Sequence, residues 1–233
     1  MAAHPELSVV DPHHHFFDPV RLPAVYKTVS AIGLKTPYLP DDHARDFSDG
    51  PAIKASVHVE VIPDEWLQEV QFVLGLESPT IQAIVAHANL SHENVAERLS
   101  ELAAASPKVR GIRCITNWDG PVGEGESPIA SRATWPRVER DYSEDPAFAA
   151  GLSLLPSLGL SFDLQCNPPQ LQRWAATLQT IPDLMVVLDH MGHLRALKGD
   201  GGAEDEAQIA TWRRGMAALA ENPNVYVKLS MLG

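Results

Sequence analysis

The sequence predicts an α/β fold in which parallel strands are joined by crossover helices. Three observations carry this expectation. Short β-branched and aliphatic runs recur along the 233 residues, longer amphipathic segments separate them, and several strands sort into one apolar and one polar face. Hydrophobic residues make up 45% of the chain, ample for a sizeable core, and no Ser/Gly/Pro-rich linker divides it. A single domain over residues 1–233 follows.

The first expected strand, Leu7 to Asp11, precedes a long segment, Phe17 to Pro51, that carries many prolines with Tyr26 and Tyr38. A connection of that length is either a lid or binding loop, or without fixed structure. Lys54 to Val61 is the second strand and Asp64 to Glu77 the helix behind it. Thr80 to His87 and His92 to Ser106 repeat the unit, with Ser91 as the candidate helix cap. Val109 to Ile115 leads into a second long segment, Asn117 to Glu144, which holds Trp118, the stretch Gly120 to Glu126, Arg132, Trp135 and Arg137, and is open to the same two readings. Asp145 to Leu158 reads as helix, Leu160 to Cys166 as strand, and Pro168 to Ile181 as helix behind the cap Asn167. Leu184 to His190, a solvated acidic loop Lys198 to Glu206, a helix Glu204 to Asn222 and a strand Asn224 to Ser230 complete seven strands.

Charge removes several classes of function. Eighteen Lys and Arg against thirty Asp and Glu give a net charge of −12, and the basic residues do not cluster, so a nucleic-acid partner is not expected. No apolar stretch reaches membrane-spanning length and no secretory signal precedes the first strand, so neither a membrane partner nor export is expected. With only Cys114 and Cys166, a cytoplasmic location is the expectation.

The chemistry is concentrated in Val9-Val10-Asp11-Pro12-His13-His14-His15-Phe16-Phe17-Asp18, where an apolar strand ends in alternating Asp, His and His. On a regular strand Asp11, His13 and His15 share one face. Two imidazoles so spaced can grip a divalent cation or a polarised carbonyl, with the carboxylate orienting one ring. The alternative is a fortuitous cluster at a strand end. Three consecutive histidines flanked by strand sequence do not make an expression tag.

Further candidates lie at later strand ends. In Ala55 to Val61 the valines face one way and Ser56, His58 and Glu60 the other; Asn224 to Ser230 likewise sets Val225, Val227 and Leu229 against Tyr226, Lys228 and Ser230. In a closed β/α barrel the polar groups at C-terminal strand ends open into the active-site mouth. Arg113 can fork onto a substrate carboxylate, or form an internal ion pair with Asp163 or Glu60. His58 and His87 are substrate contacts or hydrogen-bonded interior histidines. Lys228 is an ion-pair partner or a substrate anchor. His190 ends a run of residues expected to be buried, Met185 to Asp189, and precedes Met191-Gly192, with His193 nearby; adjacent Asp189 and His190 should face oppositely unless the strand bends there.

Taken with Val109-Arg110-Gly111-Ile112-Arg113, Leu160-Ser161-Phe162-Asp163-Leu164-Gln165, Val187-Leu188-Asp189-His190-Met191-Gly192 and Val225-Tyr226-Val227-Lys228-Leu229-Ser230, the histidine motif resembles the amidohydrolase-related family over essentially the whole chain. Within it the chain is similar to the lactonase branch of sugar lactonases, sulfomuconolactone hydrolase and 2-pyrone-4,6-dicarboxylate hydrolase. The resemblance implies a distorted TIM (β/α)8 barrel. It implies hydrolysis of a lactone or related cyclic ester of a small organic or sugar acid, with His13, His15 and His190 as catalytic residues. His13 and His15 would bind metal, one zinc or manganese ion, and Arg113, His58, Trp118 and Lys228 would bind substrate. A metal-dependent decarboxylase of the same superfamily and an inactive binding protein are the rival readings. Two departures accompany the resemblance. Gln165 stands where metal-dependent members commonly carry a histidine, and the chain ends at Gly233, before the eighth strand and its aspartate. The expectation is therefore an incomplete barrel of seven strands with weak or no activity, whose open edge is covered by a second copy or an intact subunit.

Overall fold

The structure, a computed structural model, describes residues 7–120, 134–194 and 197–231. Seven strands appear in chain order: β1 (Ser8–His14), β2 (Ala52–Val59), β3 (Ile81–His87), β4 (Val109–Ile115), β5 (Ser161–Gln165), β6 (Val186–Leu188) and β7 (Val225–Val227). The sheet order follows the chain, β1-β2-β3-β4-β5-β6-β7. This is the parallel β/α repeat of a TIM-type barrel with seven strands among the described residues. Helices α1 (Lys27–Ala31), α2 (Pro40–Asp46), α3 (Trp66–Gly75), α4 (Val95–Ala105), α5 (Pro146–Leu152), α6 (Leu171–Gln179) and α7 (Ala203–Ala220) lie between them. No helix among the described residues is long and apolar enough to cross a membrane.

The chain divides into two compact units, residues 1–88 with 97–113 and residues 89–96 with 114–233, so β4 contributes Val109–Arg113 to the first and Cys114–Ile115 to the second. In the first unit β1, β2, β3 and β4 pair in parallel, and the pairing is irregular where chemistry is densest. Asp11 pairs with Ser56 and His14 with His58, so β1 carries one residue more than β2 between those pairs. Pro12 lies inside that bulge, and a proline has no N–H for the ladder. The core here is Phe16, Tyr26, Val29, Val59, Val70, Val73, Ile84, Leu99 and Leu102, all essentially inaccessible to solvent. The segment Phe17 to Pro51 is not a structureless loop. It contains α1 and α2, and a two-way backbone bridge between Phe17 and Tyr38 closes it.

In the second unit β5, β6 and β7 pair in parallel, and Thr116, just beyond β4, donates its N–H to Gln165 O of β5. Aromatic packing of Phe148, Phe162 and Trp174 contributes to the core, and α6 lies against α7. A Cβ on Gly215 of α7 would stand 2.4 Å from Leu171 Cβ, so the helices touch where only glycine fits. Asn167 caps the turn before α6 reciprocally with Gln170, as the sequence predicts. Ser91 does not cap a helix at His92: its hydroxyl donates to Asp145, and α4 begins at Val95.

The expected β6 and β7 are too long. β6 stops at Leu188, and His190, Met191, Gly192 and His193 follow with φ of 53°, 54°, 75° and 60°. Three of the four are not glycine, which makes this left-handed run a strained exit from the sheet. β7 stops at Val227, and Tyr226, Leu229 and Met231 are exposed. Of the long segment Asn117 to Glu144, residues 121–133 lie outside the described part, including Arg132. Its neck is tied: Asp119 N–H donates to Thr134 Oγ1, that hydroxyl donates to Gly120 O, and Trp135 N–H donates to Asn117 O.

Candidate active site

In the first unit the ends of β1 to β4 bring His13, His15, His58, Glu60, His87 and Arg113 into one polar cluster. His13 and His15 meet edge to face with ring centroids 4.9 Å apart. His15 donates Nδ1–H to Val59 O at 2.7 Å, so its Nε2 carries the lone pair. Burial, and then the positive charge of Arg113, hold the His15 imidazole well below its ordinary pKa, and it is neutral at pH 7. His13 Nε2 faces Arg113 Nη1 at 3.5 Å, the outer limit of a hydrogen bond.

Arg113 itself is engaged. Its Nε donates to Glu60 Oε1 at 2.6 Å and its Nη2 to Glu60 O, and the side chain is 3% exposed. The internal pair with Glu60 is present, and it is compatible with a fork onto a substrate carboxylate. Glu60 also accepts from Ile62 N–H at 2.6 Å and lies 3.5 Å from His87 Nδ1. Ile62 has φ 54°, a left-handed conformation that a β-branched residue rarely adopts, so Glu60 fixes both the arginine and the strained turn leaving β2.

Asp11 does not orient His13 or His15 through its side chain. The bulge at Pro12 breaks the alternation that would have put it beneath them. Its Oδ2 accepts from His43 Nε2–H of α2 at 2.9 Å, and its Oδ1 takes the His13 N–H. Burial opposes ionisation of Asp11, but those bonds outweigh it and its carboxyl lies below the usual range. His14 sits beside His43 and His58, and burial pushes its pKa down to about 4. His58 is a hydrogen-bonded interior histidine: Phe16 N–H donates to its Nδ1 at 3.2 Å, and burial keeps it neutral. Sequence reasoning missed Glu69, wholly buried on α3, whose Oε1 accepts from Val61 N–H. Burial and then repulsion from Glu60 raise its pKa well above the carboxylate norm. The signal was available, since Glu69 stands three and four residues before Phe72 and Val73 on the apolar stripe.

The second unit has its own cluster. Lys228 Nζ lies between Asp163 Oδ2 at 2.5 Å and Asp189 Oδ1 at 2.9 Å, so this lysine is an ion-pair partner in the structure. His190 Nδ1 lies 2.8 Å from Ser230 Oγ. Asn117 donates from Nδ2 to Asn167 Oδ1 and to His193 Nδ1, which places the proton of neutral His193 on Nε2. Trp118, a candidate substrate contact, is half-buried with its N–H on Gln170 Oε1. Asn117 was not singled out from sequence, and Asn167 and Ser230 were named only as a helix cap and on the polar face of a strand, because these partners are remote along the chain.

The donor set of the first unit fits a divalent first-row ion. His13 and His15 offer imidazoles, His15 has the anchored second nitrogen typical of metal-bound histidine, and the nearby carboxylate of Glu60 is neutralised by Arg113. Imidazole nitrogen ligands suit zinc and other first-row ions better than magnesium or calcium.

Fold and site together define an α/β protein of barrel type with a histidine pair at the end of its first strand. The amidohydrolase family profile matches residues 10–233, and the chain belongs to that family. It is 29% identical over 248 aligned positions to the protein y4mH of Sinorhizobium fredii, covering 98% of this chain and 74% of that one. Among solved structures it is similar to a zinc-bound amidohydrolase from Burkholderia multivorans, with 26% identity, a TM-score of 0.68, and coverage of 97% of this chain and 70% of that one. It shares its fold with a probable 2-pyrone-4,6-dicarboxylic acid hydrolase from Acinetobacter baumannii, solved with citric acid, at 15% identity and a TM-score of 0.64 over 97% and 71% of the two chains.

Proposed function

We propose that this amidohydrolase opens a lactone or related cyclic ester of a small organic or sugar acid. The observation that carries the reading is His15, neutral and tied through Nδ1–H to Val59 O, beside His13 at the end of β1. His13 and His15 would hold a divalent ion, zinc or manganese, as the zinc-bound relative encourages. Bound there, such an ion supplies Lewis-acid polarisation of the ester carbonyl. Arg113, engaged by Glu60, disfavours protonation of His15, so that imidazole stays available as a ligand and acceptor. His190 is assigned to the charge that develops on the carbonyl oxygen. Trp118 borders the substrate in this reading, and Lys228 acts through Asp163 and Asp189.

The test is turnover by the purified protein on a panel of sugar lactones and pyrone carboxylic acids, with zinc or manganese supplied, following ring-opened acid. Ring opening that falls roughly 10²- to 10⁴-fold in His15→Ala supports the proposal. Release of carbon dioxide would replace it with a decarboxylase, and binding of the acids without turnover would replace it with a binding protein.

A further inference from the structure

We propose that Ser230 is a positioning residue for His190, holding the ring at Nδ1 and so fixing the direction in which Nε2 faces. The proposal rests on the reading of His190 as a catalytic group. His190 sits on backbone that would not by itself hold a ring steady. It opens the run of left-handed residues 190–193, in which His190, Met191 and His193 have φ of 53°, 54° and 60°. Each such residue costs on the order of 1–3 kcal/mol and persists only where its surroundings over-determine it.

The surroundings here do that from the chain leaving β7. Lys228 N–H donates to Leu188 O at 2.9 Å, and Met191 N–H donates to Lys228 O at 3.1 Å, so the ladder continues beyond the strand and grips the strained run at its second residue. The Lys228 side chain is held independently by Asp163 and Asp189. Trp212 of α7 donates Nε1–H to Met191 O at 2.6 Å, and His193 N–H returns to His190 O at 2.9 Å. Residue 228 is thus fixed by backbone and side chain together.

Ser230 follows two residues later, and its hydroxyl meets His190 Nδ1 at 2.8 Å. Met231, immediately after it, is left-handed as well, with φ 55°. The contact therefore joins two bent backbones. A hydroxyl can donate or accept at Nδ1, so unlike the backbone carbonyl that meets His15 it holds the ring without choosing its tautomer, and it leaves Nε2 for chemistry.

The experiment compares the protein with Ser230→Ala and Ser230→Thr. Long-range ¹⁵N–¹H correlation spectra of the His190 ring report the hydrogen bond at Nδ1 through its ¹⁵N shift, and kinetics on the lactone panel report kcat and KM separately. The native protein and Ser230→Thr should share that shift. Ser230→Ala should move it, with kcat lower by roughly tenfold and KM little changed. An unchanged Nδ1 shift in Ser230→Ala would overturn the proposal. So would a covalent adduct on Ser230 after treatment with a fluorophosphonate, which would make it a nucleophile instead. If no lactone is opened at all, the function proposed above fails while the ring spectra still decide the role of Ser230. Ser230→Thr, which keeps the hydroxyl, guards against a variant that merely misfolds.

Discussion

In the first unit Arg113 faces one carboxylate, Glu60, whereas in the second Lys228 faces two, Asp163 and Asp189. The first cluster balances its charge and surrounds the pair with imidazoles that burial keeps neutral; the second carries one carboxylate in excess. Their rigidity has different sources. Arg113 presents a planar fork to both the side chain and the backbone of Glu60, beside the left-handed Ile62. Lys228 is a point charge held between two carboxylates, and its backbone grips the strained turn that follows β6. A balanced, fork-held pair suits the holding of neutral ligands, and an excess of negative charge suits the ordering of hydrogen-bond donors.

Removing one partner from each pair should break the comparison most sharply. Glu60→Ala leaves a buried guanidinium that cannot lose its charge, at a cost of about 3–5 kcal/mol. Lys228→Met leaves two buried carboxylates together, at a similar cost near pH 7. The variants should then part on acidification. Asp163 and Asp189 can take up a proton and relieve their repulsion, while Arg113 cannot. Urea unfolding relative to the native protein at pH 7 and pH 5 measures this: the deficit of Lys228→Met should shrink and that of Glu60→Ala should stay. Equal deficits at both pH values would show that the two clusters do not differ in the way their charges suggest.

How much of this was legible in the sequence depends on distance along the chain. All seven strands were found, because buried parallel strands read as apolar runs, and the pair His13 and His15 was found because its spacing is local. The true partner of Asp11 was not, since His43 stands 32 residues away in α2, a short helix without apolar periodicity. The bulge at Pro12 was the readable cause, a residue that cannot join a ladder. At β6 the apolar run ends at Leu188, the last paired residue, so the stop was readable there and the expected strand ran two residues too far, to His190. Non-glycine left-handed residues at His190, Met191 and His193 leave no trace in composition. Ser230 lies 40 residues from His190, beyond any local rule.

The histidines make the first unit acid-sensitive. His14 has a folded pKa of about 4 against an unfolded value of 6.5, and His15 and His58 are also held well below theirs. For such groups the unfolded chain binds the proton first. Their contribution is fully present above pH 6.5 and is lost as pH falls, at roughly 1.4 kcal/mol per pH unit for each group that differs by a whole proton. Glu69 opposes them, because its raised folded pKa favours the folded chain below about pH 4.5 and costs stability as pH rises from there. Between pH 4.5 and 6.5 three histidines outweigh one glutamate, so stability should rise with pH. His14→Gln should flatten that slope by about one proton, measured as the pH dependence of the urea midpoint; an unchanged slope would mean that His14 titrates normally.

The smallest effect tests whether the strained turn of the second unit is held by many weak clamps. Trp212→Phe keeps most of the ring but removes the Nε1–H donated to Met191 O, a part-buried bond of 2.6 Å. A neutral hydrogen bond of this kind contributes about 0.5–1.5 kcal/mol, more if the carbonyl left behind is shut off from water. Lys228 still holds Met191 through its carbonyl, so the turn should loosen rather than convert to another conformation. Amide exchange should register this before global unfolding does. The His193 N–H, bonded to His190 O inside the turn, should exchange faster in Trp212→Phe, while the N–H of Phe16, bonded to His58 in the first unit, should exchange as before. Unchanged exchange at His193 would mean that the two bonds of Lys228 hold the turn without help from α7, placing the burden of orienting His190 on β7 alone.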